Sequence, residues 1–254
     1  METVVFLCED EIDGMFTGIY DAWASGFGHD HVRVEVNHGQ TFSLFCRYVQ
    51  VKTDPLKAEK VARSVRKKIS ERAYHLICRA ALSTEPDKAD VMYRFLLEGF
   101  RYGARITTML AHPAVMRIFE IDRYVGNEAH FFREFIRFKH LNSGIYFGKI
   151  EPVNRIASLL APSFEDRMPS ENWAIYDATW GDVVVHRADG PWVLVRPDGD
   201  EWEHWLKEAE DEDAYQHLWQ TFFHTIGIAE RKNPQCQRSH MPLRYRKNAV
   251  EFWR

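Results

Sequence analysis

The sequence is defined first by what it lacks. No run approaches the roughly 18 uninterrupted apolar residues that a membrane span needs. The opening residues, Met1-Glu2-Thr3-Val4-Val5-Phe6-Leu7-Cys8, carry neither the basic region nor the cleavage site of a signal peptide, so a cytoplasmic protein with no membrane partner is expected. Cysteine is scarce: Cys8, Cys46, Cys78 and Cys236 stand far apart with no C-x-x-C pair, which removes the local spacing of a zinc knuckle or an iron–sulfur cluster. Also missing are G-x-S-x-G, a Walker loop, G-x-G-x-x-G, H-E-x-x-H and an EF-hand loop, so the familiar catalytic classes lose their usual signatures. No internal repeat, low-complexity tract or long Ser/Gly linker is present. The histidines do not fill the gap, because His29-x-His31, His217 with His224, and Glu128-x-His130 lack the companions of a metal site; no metal and no cofactor are expected.

What is present is enough for a core. A chain of 254 residues, 45% apolar and 14% aromatic, has the material for one large domain or two modest ones. Its net charge of -4 conceals an asymmetry: nine acidic residues against one lysine from Asp198 to Asp213, then seven Lys/Arg against two Glu from Ala229 to Arg254.

Periodicity predicts a strand at Val4 to Cys8, a helix from Ile12 to Trp23 and a strand at Val32 to Val36. Asp54-Pro55 reads as the cap and first residue of a helix with a basic exterior at Lys57, Lys60, Arg63, Lys67 and Lys68. Helices follow at Tyr74 to Leu82, at Asp87 to Gly103 with glycines suited to close packing, and from Pro113 towards Phe132. The period then changes: Phe135 to Leu141, the turn Asn142-Ser143-Gly144 and Ile145 to Ile150 predict a β-hairpin. A short helix at Asn154 to Leu160 and strands at Trp173 to Ala178, Val183 to Arg187 and Trp192 to Val195 complete a sheet expected to be antiparallel. The aromatic face Tyr215, Leu218, Trp219, Phe222, Phe223 and Ile226 predicts a docking helix. The expected architecture is α+β, with a mostly helical N-terminal lobe over 1–111 packed on an antiparallel sheet with flanking helices over 112–254, or both merged in one compact domain.

Two segments can carry chemistry. On the hairpin, Arg137 and Lys139 are expected on one sheet face beside aromatics, a surface suited to phosphates and stacked bases; an ordinary solvated face fits the same spacing. Near the end of the chain, Arg231, Lys232, Asn233, Gln237, Arg244 and Tyr245 combine phosphate-binding cations, base-reading amides and a stacking ring. The alternative there is a solvated basic tail.

Several short motifs share one resemblance: Lys57-Ala58-Glu59-Lys60-Val61, Glu128-x-His130, Phe135-Ile136-Arg137-Phe138, Ile150-Glu151-Pro152, Phe164-x-Asp166-Arg167, Asn172-Trp173-x-Ile175-Tyr176-Asp177, Glu230-Arg231-Lys232-Asn233-Pro234 and Met241-Pro242-x-Arg244-Tyr245. In this order, over almost the whole chain, they resemble a bacterial family of DNA-repair or DNA-metabolism proteins. The resemblance implies DNA as a partner, a neighbouring radical-SAM protein of DNA repair or modification, and in some chains fusion to a uracil-DNA glycosylase-like domain. It adds Arg167 and Asn172 to the expected nucleic-acid contacts. Val153-Asn154 stands where many members carry Asp-His, and Arg246 where a Trp often follows the tyrosine.

Three functional classes result. The first is a DNA-binding repair or modification protein acting with a radical-SAM partner, whose own C-x-x-x-C-x-x-C ligands this chain lacks. The second is an enzyme of base-excision or phosphodiester chemistry using Glu128, His130 and Asp166 as acid/base groups, with Arg167, Arg231 and Lys232 stabilising charge. The third is a protein-interaction module docking through the acidic 198–213 stretch.

Overall fold

A computed structural model describes residues 2–37, 44–197, 206–207, 214–226 and 228–252. It divides into two compact units, Met1–Gly126 and Asn127–Arg254, with the division inside a long helix; the sequence reading set it at the start of that helix.

In the first unit β1 (Thr3–Cys8) is the middle of a three-stranded parallel sheet, between β2 (Val32–Val36) and β3 (Cys46–Gln50). Val4 to Cys8 are all buried, as expected of a central parallel strand covered on both faces. The helix α1 (Ile12–Ala24) links β1 to β2 and buries Met15, Phe16 and Ile19. The strand β3 is a finding the sequence did not announce; part of the connection before it, 38–43, lies outside the described residues.

Helix α2 (Pro55–Lys68) starts where Asp54-Pro55 predicts. The Asp54 carboxylate accepts from the N–H groups of Leu56 (2.9 Å) and Lys57 (3.4 Å), and Pro55 needs no donor there. Ala58, Val61 and Val65 are buried while Lys60, Arg63, Lys67 and Lys68 stay in solvent. Ser70 caps α3 (Glu71–Ala81) through the Ala73 N–H at 3.1 Å. In α4 (Lys88–Tyr102) Gly99 permits the expected close approach, since a Cβ there would lie 2.6 Å from Ile69 Cδ1. Lys88 is buried, paired with Asp10 and donating to the carbonyls of Ala81 (3.0 Å) and Ser83 (2.6 Å).

The 23-residue α5 (Pro113–Phe135) leads into the second unit. Its five-stranded sheet has the order β4-β5-β6-β7-β8: β4 (Phe138–His140), β5 (Tyr146–Ile150), β6 (Trp173–Asp177), β7 (Val183–His186) and β8 (Trp192–Val195). The hairpin turn forms as predicted, with Gly144 at φ 80° and its N–H on Leu141 O at 2.9 Å. Its first strand is shorter than expected because Phe135 still belongs to α5.

The α+β class holds, but the sheet is mixed rather than antiparallel. β5 and β6 run parallel, because α6 (Ala157–Arg167) returns the chain to the starting edge before β6 begins; the other pairings are antiparallel. Helix α6 packs on β6, β7 and β8, with Phe164 edge-on to Trp173 (centroids 6.2 Å), and Leu141, Phe147, Ala174 and Val183 form a further core cluster. The docking helix, α7 (Ala214–Thr225), forms, but Leu218, Trp219 and Phe222 of its apolar face are exposed, as is Ile226 just beyond it. It is held by Phe223 against Phe252 (5.6 Å) and by Gln220 donating to Val250 O (2.9 Å). A short α8 (Pro234–His240) follows. Among the described residues no helix is long and apolar enough to cross a membrane.

Candidate functional site

The parallel pair brings together the polar groups of the second unit. β5 and β6 end side by side at Ile150 and Asp177, joined beyond by Ala178 N–H donating to Ile150 O at 2.9 Å. Loops leaving the carboxyl ends of adjacent parallel strands are where α/β sheets place ligands. Here the loop after β5 is fixed from below by Glu128 of α5, whose carboxylate accepts from Val153 N (2.9 Å), Asn154 N (2.8 Å) and Asn154 Nδ2 (2.6 Å). After β6, Asp177 Oδ1 accepts from the N–H groups of Thr179 (3.0 Å) and Trp180 (3.2 Å), while Asp177 Oδ2 is buried without a hydrogen bond. Burial pushes the Asp177 carboxyl up to about 7; the two N–H donors oppose this, and the negative Asp182 and Glu128 add to it. Asp182 pairs with Arg196 at 2.6 Å, the Arg155 guanidinium lies 4.6 Å from the Trp180 ring, and Lys247 reaches Glu151. Asp177 can therefore exist in both protonation states near neutrality, but it is fully enclosed.

The residues proposed from sequence as one acid/base set lie in different surroundings. Glu128 is buried and its oxygens are occupied by the loop, whereas His130, two residues further along α5, is exposed. Residues two apart on a helix point to different sides. Asp166 and Arg167 are exposed at the end of α6, Arg167 lying over the Phe164 ring at 5.2 Å. Asn172 Oδ1 accepts from Ala188 N at 3.0 Å and shapes a turn.

The expected basic sheet face does not form either. Lys139 is buried, and Arg137, ahead of the strand, pairs with the buried Glu251 at 2.5 Å with Trp219 5.7 Å away. Tyr245 is enclosed as well, stacked on Phe131 (4.8 Å) and edge-on to Phe132 (5.1 Å), so its ring faces are not open to a base.

The C-terminal segment does present cations. Arg231, Lys232, Arg238 and Arg244 are exposed, and so are Asn233 and Gln237. Asn233 caps α8 by accepting from Cys236 N at 3.0 Å. Arg244 donates to Tyr245 Oη at 2.7 Å. Arg246 joins this segment to α7: it donates to Met241 O at 3.0 Å, approaches Gln237 Oε1 at 3.5 Å and covers Phe252, on which Phe223 packs. Exposed Trp219 and Phe222 thus belong to the same assembly as the exposed cations. The acidic 198–213 stretch lies outside the described residues except 206–207.

A feature not visible in the sequence is a cleft of about 360 Å³ in the first unit, lined by Asp90, Arg94, Glu98, His112 and Arg117. His112 Nε2 is 4.0 Å from Glu98 Oε2, and Arg117 is held by Asp87 and Glu85. These residues are scattered over 85–117, and no local motif marks them. Among the described residues no group of three His, Cys, Asp or Glu is placed to hold a metal ion.

Fold and site together define a mixed α+β protein with buried carboxylates at the carboxyl ends of a parallel strand pair and an exposed cationic C-terminal segment. The chain belongs to the family described as a domain of unknown function, DUF4130, whose model matches residues 86–251. No curated protein matches it. Among solved structures, a DHH domain described as a member of the s1p family of ribosomal proteins is similar, with 10% identity over 74% of each chain and a TM-score of 0.35.

Proposed function

We propose that the protein binds DNA through its C-terminal segment, with Arg231, Lys232 and Arg238 on phosphates and Trp219 and Phe222 stacking on bases. The observation that supports this reading is the tie between α7 and the tail through Phe223, Phe252, Arg246 and Gln237, which connects the helix that carries exposed aromatics to the segment that carries exposed cations. Cations near partly exposed aromatic rings suit an unpaired strand, because stacking needs unstacked bases and phosphate contacts need only charge. Asn233 and Gln237 add amide groups on the same segment. The resemblance to DNA-repair and DNA-metabolism proteins makes DNA the nucleic acid of the proposal. It also makes a radical-SAM repair or modification protein, and a uracil-DNA glycosylase-like protein, the partners. The role is that of a binding component. Glu128 serves the loop after β5, and no general acid/base role is assigned to it, His130 or Asp166.

Fluorescence anisotropy with labelled single-stranded and duplex oligonucleotides tests this. Saturable binding, tighter for the single strand and weakened by Trp219→Ala, is expected; no binding to either at low salt overturns the proposal.

A further inference from the structure

A second cavity, of about 420 Å³, lies in the first unit where α1, α2 and α4 meet. One wall is aromatic, with Tyr20 and Trp23 from α1 and Phe100 from α4. Trp23 is fixed by edge-on contacts with Phe100 (5.4 Å) and Tyr93 (6.5 Å) and by a tilted contact with the His29 ring (4.9 Å), yet it stays 42% exposed while lining the cavity. Helix α2 contributes Val61 and three polar side chains. Lys60, Ser64 and Lys68 recur every four residues along α2 and so share one side of it.

Among the described residues no acidic side chain lines the cavity, and the neighbouring acids are engaged elsewhere: Asp21 holds Lys57 at 2.7 Å and Glu59 holds Arg63. Lys60 and Lys68 form no ion pair among the described residues; the Lys60 ammonium sits 5.7 Å from the Tyr20 ring centroid, and that of Lys57, paired with Asp21, sits 5.8 Å from it. Two ammonium groups and a hydroxyl are donors for a tetrahedral oxyanion, and three aromatic side chains are a seat for a flat ring. An apolar ligand would leave the lysines without a role, and an inorganic anion would leave the rings without one. The volume falls in the roughly 300–1,000 Å³ range of small-molecule sites.

We infer that this cavity is a binding site for one nucleotide unit, a nucleobase against Trp23, Tyr20 and Phe100 with its phosphate on Lys60 and Ser64. Lys68 contributes less, because it closes the last turn of α2, where a cation already offsets the negative end of the helix dipole. The same chemistry is offered by a free mononucleotide and by a nucleotide unit of a strand. The inference does not rest on the C-terminal surface, whose residues belong to the other unit.

The test is calorimetric titration of the full chain with deoxyadenosine 5′-monophosphate, deoxyadenosine and inorganic phosphate. The mononucleotide should bind at a single site, at least about tenfold more tightly than either half alone. Lys60→Ala and Trp23→Ala should each weaken it by about tenfold, Lys68→Ala by less, and Lys67→Ala, off the cavity, not at all. Because Lys60 is exposed, its variant should keep the native melting temperature, which separates loss of the site from loss of the fold. No saturable binding at millimolar mononucleotide, equal binding of phosphate alone, or binding unaffected by Lys60→Ala and Trp23→Ala would each overturn the inference. A 5′-phosphorylated single strand added in competition identifies the source. Displacement of the mononucleotide by lower strand concentrations assigns a strand nucleotide, and lack of displacement assigns the free one; both uphold the site.

Discussion

Glu128 and Asn154 are joined twice, the carboxylate accepting from the Asn154 backbone N–H at 2.8 Å and from its side-chain amide at 2.6 Å. With the Val153 N–H at 2.9 Å, this makes Glu128 the support of the loop that follows β5. Glu128→Ala would leave buried donors without an acceptor, at a cost on the order of 3 kcal/mol. Glu128→Gln keeps one acceptor oxygen and should cost less. Thermal denaturation of the two variants checks this; wild-type stability for Glu128→Ala would contradict it.

Asp177 makes stability depend on pH in an identifiable direction. Its folded-state value is about 7 against 3.8 for the ordinary carboxyl, so between those limits the native state holds a proton that the unfolded chain has lost. This group's contribution therefore falls as pH rises from about 4 to 7 and is constant above. Asp177→Asn, which keeps the oxygen that caps Thr179 and Trp180, removes that dependence. The variant should gain on the wild type from pH 5 to pH 8, by on the order of 2 kcal/mol. A melting-temperature difference that is flat over this range would count against the assignment.

Lys88 is a buried ammonium with Asp10 as counter-ion and two carbonyl acceptors. Lys88→Met removes the charge but leaves Asp10 facing an apolar group, and the expected loss is about 3 kcal/mol or more. Urea denaturation measures it. A loss below about 0.5 kcal/mol, as for an ordinary surface lysine, would contradict the buried pair.

These residues mark what the sequence makes legible. Asp54-Pro55 and Asn142-Ser143-Gly144 work locally, through a cap and a positive φ, and both elements form where expected. The parallel pairing of β5 with β6 is not local: the strands are separated by the loop and α6, and alternation looks the same in either direction. Lys139 reads as part of an exposed face because its type is almost always solvated, and only tertiary partners bury it, as they bury Lys88. Tyr245 shows the same limit in a functional candidate, since the residues that enclose it lie more than a hundred positions earlier in the chain. The exposed Arg231, Lys232 and Arg238 agree with the reading of a basic tail because exposure needs no distant partner.

Arg231, Lys232 and Arg238 are proposed to bind phosphate. The most direct measurement is the salt dependence of single-stranded DNA affinity for the full chain and for Arg231→Ala/Lys232→Ala/Arg238→Ala. Each phosphate contact adds about 0.7 to the slope of log affinity against log salt on a single strand. The triple variant should therefore lose about two units of slope together with affinity at low salt, while its melting temperature stays that of the wild type. An unchanged slope and affinity, with or without a fall in melting temperature, would show that these residues serve the fold or another partner and would contradict the claim.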